Sequence, residues 1–361
     1  MALCAESFQS NMNKTTLYSL WFLLAGLGIG IIAYGIFKAV FEQASAPPTV
    51  PKYIMRPEPP EEKFGYQFET FMSASAQETV RDFSLDPTGS LFLILDKKLH
   101  FIGLAAPLFS EADLPQKIDD ATIGTVTSTD WAPGISIESL TVYLGTNTGV
   151  YQWVVPTSLP APKEDVLKDL AKTFTDGFTA ESRLDAIRFW GGKLFAADSG
   201  AGELRVYDQK SGELIQTVKL SALNPPCGKN LNIDISSGSS ESDYTVWIAD
   251  PDNARFVPIQ PDGQCDVSHI WGQRGETLEN FQGRLAPSHF TVEPDGSFIV
   301  AERDYPYVKK FRPDGTFESI VAGDRAFFWS QTEKPFVASF EGRIFVLSPE
   351  KNIILQFSPK P

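Results

Sequence analysis

Past residue 79 the chain is written as short apolar runs broken by turn residues, with almost no stretch carrying a helical period. The clearest passage runs from Trp271 to Gly323, where "HFTVE", "SFIVAE", "YVKKFR" and "TFESIVAG" follow one another and "PDG" separates them twice. Proline fixes φ at the first corner, and Asp and Gly tolerate the tight geometry that follows, so each "PDG" predicts a turn between antiparallel strands. Upstream, "LNIDIS", "YTVWIAD", "ARFVPIQ", "PDG" and "QCDVSHIWG" repeat the pattern, and "LDAIRFW", "KLFAAD", "ELRVYD" and "ELIQTVKL" repeat it again. The acidic stretch "VWIADPDNARFVPIQPDG" raises calcium as an alternative, but counting from Asp250 places Asp262 one position past the glutamate an EF-hand loop requires. Its recurrence assigns it to turns.

The ends of the second strands mark the repeat. Asp96, Gly145, Asp198, Asp250, Glu302 and Ser348 lie 46 to 53 residues apart, a period typical of propellers and solenoids. Four antiparallel strands per copy and six copies predict an all-β, six-bladed β-propeller over residues 64–361. The last copy, "FVASFEGRIFVLSPEKNIILQFSP", supplies three strands, while "GYQFETFM" (Gly65 to Met72) stands as an orphan strand before the first copy. The orphan is expected to complete the last blade as its outer member and close the ring. One insertion, 160–177, has Val166, Leu167 and Leu170 at helical spacing and predicts a short helix on the rim.

The first fifty residues break the pattern. Thr15 to Phe37 are 23 residues without a charge, which as a helix would span roughly 34 Å, enough to cross a bilayer. A secretory signal h-region is shorter than this, so residues 15–38 are expected to be a retained transmembrane helix after a short tail (1–14). Gly26 and Gly30, four apart, would let a second helix approach closely. A Pro-rich linker (39–63) then holds the propeller off the membrane. The expected placement is a single-pass protein of the bacterial cytoplasmic membrane with its propeller in the periplasm.

Composition narrows the function. A net charge of −14 without a basic cluster argues against nucleic acid. The three cysteines, Cys4, Cys227 and Cys265, lack zinc spacing. Cys227 and Cys265 flank the fourth copy and form either a disulfide or two thiols.

The copies "FTVEPDGSFIVAE" and "VWIADPDNARF", with the shortened "DFSLDPTGSLFLILD", resemble the NHL-repeat family of β-propellers. That resemblance implies a central channel ringed by the innermost strands, whose opening residues align as Asp82, Asp185 or Ala186, Asn232, His289 and Phe336. Asp82, Asn232 and His289 are the candidate ligand-binding residues there. Related propeller enzymes similar to gluconolactonases use an inner ring of carboxylates for calcium, and lyase propellers use several histidines. Only His100, His269 and His289 occur, with His100 and His269 expected on outer strands. No metal, cofactor or catalytic residue is assigned. The preferred function is a non-catalytic scaffold with an integral membrane or periplasmic partner; the alternative is a calcium-dependent lactonase-like or lyase-like enzyme using the channel.

Overall fold

The computed structural model describes residues 59–73, 80–85, 91–95, 98–102, 109–113, 126–133, 139–146, 148–156, 171–238, 240, 242–303, 305, 307–323, 336–348 and 353–361. Residues Pro60–Pro361 make one compact unit. No helix among the described residues is long and apolar enough to cross a membrane; the span expected at 15–38, with Gly26 and Gly30, lies outside them, as does most of the linker.

Six antiparallel sheets follow one another along the chain. The first holds β2 (Val80–Leu85), β3 (Leu91–Leu95), β4 (Lys98–Ile102) and β5 (Phe109–Asp113); the second β6 (Val126–Pro133), β7 (Ser139–Thr146), β8 (Gly149–Pro156) and β9 (Ala171–Phe174). The third holds β10 (Leu184–Trp190), β11 (Lys193–Asp198), β12 (Glu203–Asp208) and β13 (Leu214–Lys219); the fourth β14 (Asn232–Ser237), β15 (Tyr244–Asp250) and β16 (Arg255–Ile259). The fifth holds β17 (His289–Val292), β18 (Phe298–Ala301), β19 (Val308–Phe311) and β20 (Phe317–Ala322). The sixth joins β21 (Phe336–Phe340), β22 (Arg343–Ser348) and β23 (Ile353–Pro359) to the N-terminal β1 (Tyr66–Ser73). The first strand of each sheet touches its counterparts in the sheets before and after it, from β2 through β6, β10, β14, β17 and β21 and back to β2. A ring of sheets joined by their inner strands is the architecture of a β-propeller.

The apolar runs of the second strands β11, β15 and β18 are unbroken because these strands are covered on both faces. In β15, Val246 and Ile248 pack toward the third sheet with Phe195, Ala197 and Val206, while Trp247 and Ala249 pack toward the fifth with Phe290, Phe298 and Val300. In β18, Ile299 and Ala301 turn to the sixth sheet and Phe298 and Val300 to the fourth. The period of two persists as an alternation between two cores rather than between core and water.

All three "PDG" turns of the fourth and fifth sheets use one hydrogen-bond pattern. Gly263, Gly296 and Gly315 donate to the carbonyls of Gln260, Glu293 and Arg312, and each has φ between 80° and 84°. Asp262, Asp295 and Asp314 accept from the amides two residues on, at 2.9, 2.8 and 2.9 Å. Of the aspartates that suggested calcium, Asp262 caps its own turn, while Asp250 binds Arg255 and Asp252 accepts from the amide of Lys229.

Two expectations are corrected. "QCDVSHIWG" is not a fourth strand: Val267–His269 is a 3₁₀ turn, and the edge of β16 is covered by single bridges from Ile259 to Cys265 and from Phe256 to Trp271. The reason is Pro258, which offers no amide on that edge; its carbonyl accepts from Asp266, and Phe256 exchanges both its groups with Trp271. The Trp271 ring stacks on Phe256 at 4.5 Å between centroids, filling the place of the missing strand. His269 accordingly lies on the 3₁₀ turn, and His100 on the third strand of its sheet. The end of the insertion read as helical, Ala171–Phe174, is instead the outer strand of the second sheet, because the Phe174 ring enters the core between Tyr143 and Tyr207; residues 160–170 lie outside the described residues.

Closure follows the expected route. β1 pairs antiparallel with β23 from Tyr66 opposite Pro359 to Ser73 opposite Ile353. Gly65 donates to Ile320 of the fifth sheet, Lys360 donates to Gly65, and the Phe64 ring lies against Gly323. The chain therefore joins the ring at its outer rim, between the fifth and sixth sheets. Deleting Phe64 to Met72 would bare the edge of β23 and uncover the core beside Leu355 and Phe357. The expected result is a lower melting temperature and aggregation on heating; a chain starting at Ser73 that melts like the intact domain would contradict closure by β1.

Candidate functional site

The ring's polar groups fall into three sets, and the first is a buried carboxylate at the end of a second strand. Asp198 binds the Arg205 guanidinium at 2.7 Å and accepts from the amides of Arg183 and Ala201. Asp250 binds Arg255 at 3.0 Å, Asn253 at 2.7 Å and the amide of Gly228. Glu302 binds Lys309 at 2.8 Å and the amide of Gln282. Each carboxylate thus ties its strand to the third strand and to the segment leading into the inner strand. Burial acts on Asp198 to raise its carboxyl, but hydrogen bonds from Ala201, Arg183, Ser182 and Arg205 outweigh it and hold it below the usual range. For Glu302 burial wins over Lys309 and pushes the carboxyl up to about 7.

The second set lies on the inner strands. The innermost strand of a sheet has an edge facing the ring's axis, and its amides there need acceptors. Side chains of the preceding sheet supply them. Asp185 accepts from Leu231 at 3.1 Å, Asn232 from Phe290 at 3.4 Å, Asp234 from Val292 at 2.7 Å, and His289 Nδ1 from Val337 at 3.2 Å. Arg188 adds an ion pair from β10 to Asp234 at 3.3 Å. The contact from Val337 requires the lone pair on Nδ1, so the His289 ring is neutral with its hydrogen on Nε2. Asn232 and His289 are buried, and each reaches the next sheet around the ring. Phe336 lies beside the His289 ring, 5.1 Å between centroids. Asp82 lies on β2 opposite Ile94, and its side chain is outside the described residues. Asp234 and Arg188 carried no mark in the repeat that could have singled them out.

The third set lines a cavity of about 70 Å³ where the inner strands of three consecutive sheets begin, bounded by Asp185, Asn230, Pro251, Leu285, Ser288 and Arg303. Arg183 stands over it, with Nη2 on Asn230 Oδ1 at 2.6 Å and Nε 3.3 Å from Asp185. Asn230 holds φ at 58°, a left-handed conformation uncommon outside glycine.

Metal and redox chemistry are tested by the same geometry. Among the described residues, no three His, Cys, Asp or Glu side chains converge on a common point. Cys227 and Cys265 are both free thiols, which corrects the disulfide alternative. Each packs at the margin of the core between the third and fourth sheets. Burial pushes the Cys227 thiol up to about 12 and raises Cys265 as well, so neither is an activated nucleophile.

No protein-family model matches the chain, and no curated protein sequence matches it. Solved structures do resemble it in fold. A protein of unknown function from Bacteroides thetaiotaomicron superimposes with a TM-score of 0.54 at 15% identity, over 83% of this chain and 74% of that one. A streptogramin B lyase gives 0.51 at 10% identity, over 82% and 98%. The Swd1 β-propeller domain from Myceliophthora thermophila gives 0.48 at 9% identity, over 82% of this chain and 100% of that one.

Two outcomes follow from the geometry. If His289 is an inter-sheet clasp, His289→Ala orphans the Val337 amide and costs about 1–3 kcal/mol, while His289→Gln, which keeps an acceptor, costs less; equal losses in denaturant melts would contradict the clasp. For Glu302, the folded chain holds its proton more tightly than the unfolded chain, whose ordinary value is 4.5. Its contribution is therefore full below that value and is lost as the pH rises toward about 7. The stability difference between wild type and Glu302→Gln should move in the variant's favour between about pH 5 and about pH 7, read by melting temperature at each pH. A difference that stays constant would contradict the raised carboxyl.

Proposed function

We propose that this protein is a membrane-anchored, non-catalytic interaction propeller, its six sheets acting as six NHL-like blades and its ring presented to an integral membrane or periplasmic protein partner. The observation that carries this reading is the use of the inner-strand polar groups. In a metal-dependent propeller enzyme, several protein oxygens converge on one cation at about 2.3–2.6 Å. Here Asp185, Asn232, Asp234 and His289 instead point around the ring and hold amides of the next sheet. Their chemistry is consumed in building the ring, and what is left for recognition is its surface. Fold likeness to a streptogramin B lyase bears on architecture alone.

The anchor belongs to the same proposal. The uncharged segment Thr15 to Phe37 would span the bilayer of a bacterial cytoplasmic membrane, with Gly26 and Gly30 as a packing face for a partner helix and the propeller in the periplasm.

The full-length chain is expected to resist alkaline carbonate extraction and to migrate in mild detergent as a complex larger than one chain. Calcium or chelator should leave its melting temperature unchanged. Recovery as a lone chain whose melting rises several degrees with calcium, and loses that rise in Asn232→Ala, would replace the scaffold with the metal-dependent enzyme.

A further inference from the structure

Asp198, Asp250 and Glu302 hold the same place in three successive sheets, yet they use their oxygens differently. Asp198 takes the amides of Arg183 and Ala201 on Oδ1 and the Arg205 guanidinium on Oδ2. Asp250 takes the amide of Gly228 on Oδ1, and Asn253 and Arg255 on Oδ2. Glu302 crowds two donors onto Oε1, the Gln282 amide at 3.3 Å and the Lys309 ammonium at 2.8 Å. Its Oε2 is buried and has no hydrogen-bond partner among the described residues. Gln282 holds a second such atom. Its Nε2 donates to the carbonyls of Glu276 at 2.7 Å and Thr277 at 3.2 Å. Only a donor satisfies two carbonyls, so the amide cannot be turned round, and Oε1 is left buried without a partner. Two residues already joined by a hydrogen bond thus carry one idle acceptor each, where an unmet polar atom costs free energy.

We propose that a proton on Glu302 Oε2 joins it to Gln282 Oε1 and makes the pair a pH-sensitive latch on the loop 272–285. A carboxylic acid supplies the O–H donor that both idle oxygens lack. The latched loop leads into the mouth: Leu285 lines the cavity, and Arg274 reaches from the loop to the carbonyl of Pro251, another lining residue, at 3.0 Å. The Phe281 ring is sunk in the core between the fourth and fifth sheets. Around it the polar turn from Glu276 to Gln282 is held by Gln282 itself and by the Lys309 ammonium on the Asn280 carbonyl at 2.9 Å.

Each neighbouring charge is placed. Lys309 on β19 touches Glu302 and favours the carboxylate. Burial is the larger influence and raises the carboxyl, against Lys309 and the Gln282 amide, to about 7. His289 on β17 lies opposite Ala301 and turns its ring to Val337. From the loop, Glu276 presents its carbonyl to Gln282, Arg274 binds the carbonyl of Pro251, and Glu279 feels Lys63 and Lys309. Arg303 follows Glu302 and lines the cavity; Asp304 lies outside the described residues. The closed loop holds the proton more tightly than an open one, so closure is favoured at low pH and weakens as the pH rises through about 7.

The latch is independent of the anchored-complex reading, because loop and proton are followed in the chain alone. Hydrogen exchange on the full chain in detergent, read by mass spectrometry and corrected for the intrinsic pH dependence of exchange, tests it. Protection of residues 273–283 is expected to fall at least about tenfold between about pH 5.5 and about pH 8.5, while β15 keeps its own. Glu302→Gln puts an amide donor where the acid's hydrogen stood, so its loop should stay protected at both pH values. Lys309→Met removes the group that favours the carboxylate and should move the loss of protection to higher pH. Wild-type protection that does not change with pH overturns the latch and leaves a bridging water as the link between the two oxygens. Equal losses in Glu302→Gln and wild type, or a loss spread evenly over the loop and β15, overturn it as well, since the proton responsible would lie elsewhere. Carbon-13 NMR of the Glu302 carboxyl needs no variant: titration near its ordinary 4.5 would contradict the shared proton.

Discussion

Every sheet in this ring has an inner strand facing the axis and a third strand facing the rim, and the edges of both need cover. Unpaired strand edges recruit other chains, and unpaired amides inside a folded protein cost free energy. Around the axis, Asp185, Asn232, Asp234 and His289 close the inner edges of the fourth, fifth and sixth sheets by reaching across from the sheet before. At the rim, three different devices cover the outer edge of the third strand. Most sheets carry a fourth strand, the fourth sheet uses Pro258 and Trp271, and the sixth borrows β1 from the far end of the chain. The inner closure is what makes the polar residues of the mouth structural, and the functional reading depends on that assignment.

Much of this was legible in the chain because turns and strands are local. "PDG" sets its own backbone, and Gly263, Gly296 and Gly315 adopt the same hydrogen bonding wherever it occurs. The closing strand was legible from arithmetic, since the last copy lacks one strand and Gly65 to Met72 had no other partner. The missing fourth strand was not, because "QCDVSHIWG" has adequate strand character; the obstacle is Pro258 on the neighbouring strand, seen only once the two are side by side. Phe174 was misplaced for a related reason. Helical spacing in Val166, Leu167 and Leu170 drew the insertion to its end, while the aromatic core around Tyr143 and Tyr207 claimed Ala171–Phe174 as a strand.

The clasps were harder to read than the strands. Asn232 and Phe290 are 58 residues apart, as are Asp234 and Val292, and His289 and Val337 are 48 apart. Repeat alignment could place Asn232 and His289 near the axis but could not say whether they faced a ligand or a neighbouring amide. That choice depends on how each inner strand is offset from the next, which no single copy encodes. The buried pairs lie between these extremes. Asp198, Asp250 and Glu302 recur at intervals of 52 residues, so their positions were visible. Their partners, Arg205, Arg255 and Lys309, follow by 7, 5 and 7 residues, a spacing that becomes meaningful only when the second and third strands pair.

Charge separates what builds the ring from what remains for recognition. Each buried cation among the described residues is matched: Arg205 to Asp198, Arg255 to Asp250 and Lys309 to Glu302. Breaking one such buried pair strands a charge and costs more than the pair itself contributes, so these positions are constrained by folding alone. The mouth cations are different. Arg183 is about half exposed, and Arg274 is held by backbone carbonyls, which position a guanidinium without neutralising it. Carbonyl groups orient the Arg274 guanidinium, and Asn230 together with the Asp185 carboxylate orients that of Arg183.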